Sequence, residues 1–172
     1  GDSSAVAAQL DGTIDVTQVF STFGVFAALR ADGSVVTWGS SSYGGDSSAV
    51  ATRLDGTIDV TQIFSTGQAF AALRADGSVV TWGNSYAGGD SSAVATQIDG
   101  TFDVTQVFST AYAFAALRAD GSLVTWGSSS YGGDSSTVAA QLDGTNNVTQ
   151  VCATSQAFAA LRADGSVVTW GH

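Results

Sequence analysis

Few residues of this sequence can carry chemistry, and two of the types that catalysis uses most occur once each. His172 is the only histidine and stands at the end of the sequence, and Cys152 is the only cysteine. A Ser-His-Asp or Cys-His arrangement needs a histidine held by surrounding structure, and a zinc site needs several His or Cys ligands. We therefore expect no enzyme activity, no catalytic residue, no metal site and no cofactor.

Aspartate supplies every side-chain carboxylate, because all 15 acidic residues are Asp. The spacing of Asp11 and Asp15 recurs twice further along the chain, and such a pair could offer carboxylates to calcium. A fourth copy breaks the pair by placing Asn147 after Asp143, and no stretch has EF-hand spacing. Asp followed by Gly also forms turns, and we favour turns over calcium binding.

Arginine and tryptophan also recur at regular places, and each has two interpretations. Arg30 stands two residues before Asp32, and each of its three equivalents stands two residues before an Asp of its own unit. In a ring, the four arginines would form a basic set able to hold an anion. We favour local ion pairs instead. Trp38 and its equivalents could stack on sugars, but their apolar neighbours favour a role in the core.

A long internal repeat sets the positions of all these residues. The segment FAALRADGSVVTWG begins at Phe26 and returns with one change at most, and its tryptophans follow one another at intervals of 44 residues: Trp38, Trp82, Trp126 and Trp170. A fixed period of this length indicates a propeller, a solenoid or an array of stacked units. We divide the chain into one repeat domain, 1–172, of four units: 1–44, 45–88, 89–132 and 133–172.

Each unit has the pattern of a small antiparallel sheet. The segments VTQVFST, FAALR and SVVTWG are rich in strand-forming residues, and Asp32-Gly33 predicts a tight hairpin between the second and third. The segment AVAAQL is interpreted as a short outer strand. Apolar residues lie on both faces of these strands, so we expect neighbouring units to cover both faces of each sheet. The prediction is an all-β fold: a β-propeller or partial propeller of four antiparallel blades, each with three or four strands.

Composition limits the partners. The net charge is −10, which repels a phosphate backbone, so nucleic acid is not expected as a partner. No apolar run is long enough to insert into a membrane, and the segment GDSSAVAAQL does not resemble a signal peptide, so any export signal is expected elsewhere in a longer precursor. Cys152 replaces the Phe of the other three units, and we predict a small apolar core residue there.

The segment FAALRADGSVVTWG, followed by SSSYGG, resembles the repeats of the regulator of chromosome condensation family. The repeat sequence also resembles the repeats of very large bacterial surface or secreted proteins and of repetitive algal proteins. The resemblance implies a propeller, although that family usually closes with about seven blades. A histidine common in the family before the second strand is absent here, so no exchange-factor contact is transferred. The aligned positions carry Gly24, Gln68, Tyr112 and Gln156.

Differences among the four units concentrate in the loop between the first and second strands. We predict partner contacts in this loop, at Phe23, Gln68, Tyr112 and Gln156. Neutral drift of an exposed loop explains the same variation.

The expected function is a non-enzymatic structural or protein-interaction module of a larger secreted or cell-surface repeat assembly. The alternative is a lectin-like propeller that binds a ligand, such as a glycan, through these loops. Four blades in an open arc would expose apolar end faces, so we also expect self-association or further repeats.

Overall fold

The computed structural model describes residues 2–172 and confirms an all-β fold with four blades. Each blade is an antiparallel sheet of three strands that follow the chain in order. The strands are β1 (Val16–Ser21), β2 (Val25–Arg30), β3 (Val35–Gly39), β4 (Val60–Ser65), β5 (Ala69–Arg74), β6 (Val79–Gly83), β7 (Val104–Ser109), β8 (Ala113–Arg118), β9 (Leu123–Gly127), β10 (Val148–Ala153), β11 (Ala157–Arg162) and β12 (Val167–Gly171).

The hairpin between the second and third strands forms as the Asp-Gly pair predicts. Leu29 pairs with Val35 across the turn, and Gly33 has a φ of 73°, which glycine adopts without strain. The Asp32 carboxylate accepts hydrogen bonds from the backbone N–H and the hydroxyl of Ser34. The side chains of the turn therefore stabilise it locally, and the Gly33 carbonyl also accepts the N–H of Val60 in the second unit.

The prediction of a short outer strand in each unit is wrong, because this segment forms a 3-10 helix. The Asp2 carboxylate accepts the backbone N–H of Ser4, which starts a turn, and the alanines that follow have little preference for strands. The longer 3-10 helices are Ser4–Gln9, Ser48–Arg53, Ser92–Gln97 and Ser136–Gln141, and three shorter ones in the connectors are Ser41–Tyr43, Ser85–Ala87 and Ser129–Tyr131.

Three apolar cores lie between successive sheets. We call the side of a sheet that meets the next unit its forward face, and the side that meets the preceding unit its backward face. In the first core the forward face of the first sheet meets the backward face of the second. Its buried members are Val25, Ala27, Leu29, Leu54, Val60, Ile63, Phe70, Ala72, Val80 and Trp82. The other two cores repeat this arrangement at equivalent positions.

Tryptophan occupies these cores as the sequence predicts. Phe114 stacks on Trp126 with ring centroids 5.4 Å apart, and the Trp126 indole N–H donates to the carbonyl of Gly88 in the preceding connector. Trp82 and Trp170 do the same with Gly44 and Gly132. Trp38, on the backward face of the first sheet, is only half-buried.

The outward faces of the first and fourth sheets have no neighbouring sheet within residues 2–172. The expectation that both faces of every sheet are covered is confirmed for the second and third sheets, and for the two outward faces it stays a prediction that further repeats or a second copy cover them. The prediction that Cys152 is a core residue is wrong: it is exposed, because it lies on the forward face of the fourth sheet.

Candidate interaction site

The loops between the first and second strands form a continuous row at one end of the arc. The Phe23 N–H donates to the Gly67 carbonyl at 3.0 Å, and the Gly67 N–H donates to the Ala111 carbonyl at 2.8 Å. The Ala111 N–H continues the row by donating to the Ser155 carbonyl at 3.0 Å. Backbone hydrogen bonds thus join each of the loops that carry the predicted site residues to the next loop in the row.

Buried threonines brace the same loops from below. The Thr110 hydroxyl donates to the carbonyl of Tyr131 at 2.9 Å and accepts the N–H of Ala113 at 3.1 Å. Thr66 makes the equivalent bonds to Ala87 and Ala69 in the second unit. These bonds tie the loops of the second and third units to the connectors that follow their third strands, whereas the buried Thr22 hydroxyl of the first unit has no hydrogen-bond partner.

The four predicted site residues differ in exposure. Phe23 is 72% exposed and lies over Gly67, where a Cβ atom would come within 2.7 Å of the phenyl ring. Gln156 is exposed, and Gln68 is half-buried. Tyr112 is half-buried and packs against the core between the second and third sheets, so its ring serves packing as well as the surface.

Tyr112 also belongs to an aromatic cluster that the sequence reasoning missed. Its ring centroid lies 4.8 Å from that of Tyr131 and 5.8 Å from that of Tyr86, which is 58% exposed. A comparison of the connectors could have pointed to this cluster. The second unit reads NSYAGG where the first and third read SSSYGG, so its tyrosine lies one position earlier. Phe23 forms no aromatic pair with another ring of residues 2–172 and so does not belong to this cluster.

The arginines at the hairpin end are engaged locally, as the favoured interpretation predicts. Arg30 lies 3.2 Å from the Asp32 carboxylate and also donates to the Ser34 hydroxyl. The hydrogen bond from the Ser34 hydroxyl lowers the pKa of Asp32, more than burial opposes it. The other three pairs are Arg74 with Asp76, Arg118 with Asp120, and Arg162 with Asp164.

The aspartates of the DGT segments also act within turns. Asp11 accepts the backbone N–H of Thr13, and this hydrogen bond lowers the pKa of Asp11. Within residues 2–172, no three His, Cys, Asp or Glu side chains are grouped so that they could hold a metal ion. The same part of the chain contains no helix that is both long enough and apolar enough to cross a membrane.

Comparison with known proteins identifies the architecture but no family. No family model matches the sequence, and no curated protein matches it. Solved propellers do match: the CRINKLY WD40 ectodomain of the Arabidopsis thaliana receptor kinase ACR4 has a TM-score of 0.60 at 14% identity, covering 93% of this chain and 54% of that one.

Yeast RCC1, called Prp20, matches in two structures. Its complex with Kap60 has a TM-score of 0.59 at 18% identity over 95% of this chain and 43% of that one. Prp20p from Saccharomyces cerevisiae, described with its binding to Gsp1p and histones, has a TM-score of 0.58 at 18% identity over 98% of this chain and 46% of that one. The chain spans about half the length of these propellers or less, and the likeness establishes the fold alone.

Proposed function

We propose that this chain is a non-enzymatic protein-interaction module that binds a protein partner through the loop row. The observation that carries the proposal is Phe23, a large apolar side chain that is 72% exposed on a loop held by backbone hydrogen bonds. Exposed aromatic residues on a rigid surface are typical anchors of protein interfaces, because they bury much area and lose little entropy. Prp20, which shares the fold, is a protein with protein partners, including Kap60.

A crosslinking experiment tests this function. A photoreactive phenylalanine analogue replaces Phe23 in one variant and Phe102 in another, because Phe102 is 49% exposed at a different place and serves as the matched control. Proteins captured only from position 23 are then purified, and their affinities are measured for Phe23→Ser and Phe102→Ser. We expect Phe23→Ser to weaken binding about tenfold, as an interface anchor does. Equal affinities of the two variants for every captured protein would contradict the proposal.

The proposal includes a place in a larger secreted or cell-surface repeat assembly. The net charge of −10 supports it, since a strongly charged surface keeps a long array soluble. Protease treatment of intact cells of the source organism tests this part. We expect the chain to be cut without lysis, and protection until lysis would place it inside the cell.

A lectin-like function is the second candidate, and the cluster of Tyr86, Tyr112 and Tyr131 favours it. Tyrosine rings offer flat faces and hydroxyl groups, which suit a sugar ring. A glycan array followed by titration of any bound glycan tests this candidate. Tyr86→Ala should abolish binding, whereas Phe102→Ala should leave it unchanged.

A further inference from the structure

The two end faces of the arc carry apolar side chains that every internal interface buries. Val19, on the backward face of the first sheet, is 57% exposed, whereas its equivalent Ile63 is 4% exposed. Val167, on the forward face of the fourth sheet, is 62% exposed, whereas its equivalent Val79 is 2% exposed. The backward end face is formed by Val16, Val19, Phe26 and Trp38, and the forward end face by Cys152, Ala159, Leu161 and Val167.

The internal interfaces define what fits such a face. At the hairpin end, each joint has two backbone bonds in opposite directions: the Val35 N–H donates to the Leu54 carbonyl, and the Val60 N–H donates to the Gly33 carbonyl. At the loop end, the Phe23 N–H bonds the next loop. The same bonds recur at equivalent residues of the second and third joints. A forward face and a backward face are thus complementary in both shape and hydrogen bonding.

The end faces present the same groups without their partners among residues 2–172. On the forward face, the N–H groups of Val167 and Ser155 and the carbonyl of Gly165 are in the positions of the internal bonds. On the backward face, the carbonyls of Leu10 and Phe23 and the N–H of Val16 hold the matching positions. Each donor of one face therefore corresponds to an acceptor of the other: Val167 with Leu10, Ser155 with Phe23, and Val16 with Gly165.

We propose that the forward end face of one copy of this chain binds the backward end face of a second copy. This contact would repeat the interface between successive sheets, because the two end faces carry equivalent side chains and the same backbone groups as the two sides of an internal joint. It is heterologous, since two different faces meet, and two copies that form both contacts close into a ring with no open face. A shallow apolar pocket lined by Cys152, Leu161 and Val167, among others, lies on the forward face where the partner's Val19 would be placed.

The intermolecular contact should be weaker than an internal one. Cys152 offers less apolar area than Phe20, Phe64 or Phe108, which pack at the internal joints. We therefore expect association that depends on concentration.

Sedimentation velocity at a series of protein concentrations tests the proposal. We expect a shift from one copy to two or more copies in the unmodified chain. Val19→Asp damages only the backward end face, and Val167→Asp damages only the forward one. Each should weaken association at least about tenfold, because an unpaired charge would be buried. Phe102→Asp adds the same charge away from both faces and should have no effect, and circular dichroism checks that all variants fold.

A mixture of the two damaged variants distinguishes the proposed contact from pairing of like faces. Val19→Asp retains an intact forward face, and Val167→Asp retains an intact backward face, so an equimolar mixture should recover a complex with one intact contact. If like faces paired, one substitution would abolish association and the other would not. That pattern, or a single copy at every concentration, would overturn the proposal.

The thiol of Cys152 supplies an independent readout. It is exposed in a single copy and lies within the proposed contact. Its alkylation rate should fall as protein concentration rises in the unmodified chain and should stay high in Val19→Asp, whose Cys152 and forward face are unchanged. A constant rate across the association range would show that another surface is covered. This contact uses the sheet faces and the backbone carbonyl of Phe23 but not the Phe23 side chain, so its failure leaves the proposed binding of a partner by that side chain untouched.

Discussion

The stability that each sheet gains from its neighbour can be measured by removing one phenyl ring at two equivalent positions. One position lies at an internal joint, and the other lies at the open end of the arc. Phe114 is 0% exposed, and Phe26 is half-buried at the same position of the first sheet. Both rings stack on a tryptophan with centroids 5.4 Å apart, so the stacking within the sheet is matched. The difference between the two variants therefore isolates the cover that the preceding unit provides.

The magnitudes follow from burial. Phe114→Ala removes a fully buried ring and leaves a cavity, which should lower the free energy of unfolding by about 3 to 5 kcal/mol. Phe26→Ala removes a ring with one side already open to solvent and leaves no closed cavity, so about 1 to 1.5 kcal/mol is expected, roughly half the value of burying a phenyl ring.

Urea unfolding followed by far-ultraviolet circular dichroism measures both losses. Low protein concentration keeps association from contributing to the apparent stability of Phe26→Ala. The two midpoints can be compared directly where the dependence on urea is unchanged. Equal losses at the two positions, or a larger loss at Phe26, would refute the dependence of each sheet on its neighbour.

Two further changes test the turns and the charges. A Cβ at Gly88 would lie 2.6 Å from the Phe114 ring, whereas a Cβ at Gly12 would have no atom within 4 Å, and both glycines have positive φ. Gly88→Ala should therefore lower the free energy of unfolding in urea by about 1 to 3 kcal/mol more than Gly12→Ala does. Equal costs would place the penalty in the backbone alone. Acid should lower the free energy of unfolding between about pH 5 and about pH 2, because the hydrogen-bonded aspartates have lowered pKa values and the unfolded chain binds protons first. Asp32→Asn keeps an oxygen acceptor for Ser34 and removes one titrating charge, so the pH dependence should become shallower, and an unchanged slope would contradict this assignment.

Most of the scaffold was predictable because its signals are local or periodic. The Asp32-Gly33 turn and the three strands of each unit follow from residue preferences over a few positions, and the repeat shows that the units stack. The 3-10 helix at Ser4–Gln9 was not predicted, since a short alanine-rich segment has similar strand and helix preferences and the Asp2 side chain decides between them.

Other errors came from position within the arc. Cys152 occupies a position that is covered in the other units, and its exposure depends on the absence of a fifth sheet among the described residues, which the residue type does not indicate. The partnership of Tyr86 and Tyr131 with Tyr112 joins connectors to a loop and is visible only in three dimensions. The identity of a partner depends on chemistry outside the chain, so the loop residues remain a prediction.

The matching of forward and backward faces also bears on how such a gene can change in length. Insertion or loss of one 44-residue segment by unequal recombination would join two surfaces that already fit, and it would leave both termini with the same surfaces as before. Copy number can therefore drift without the evolution of a new joint, and selection on overall size can act in steps of one unit.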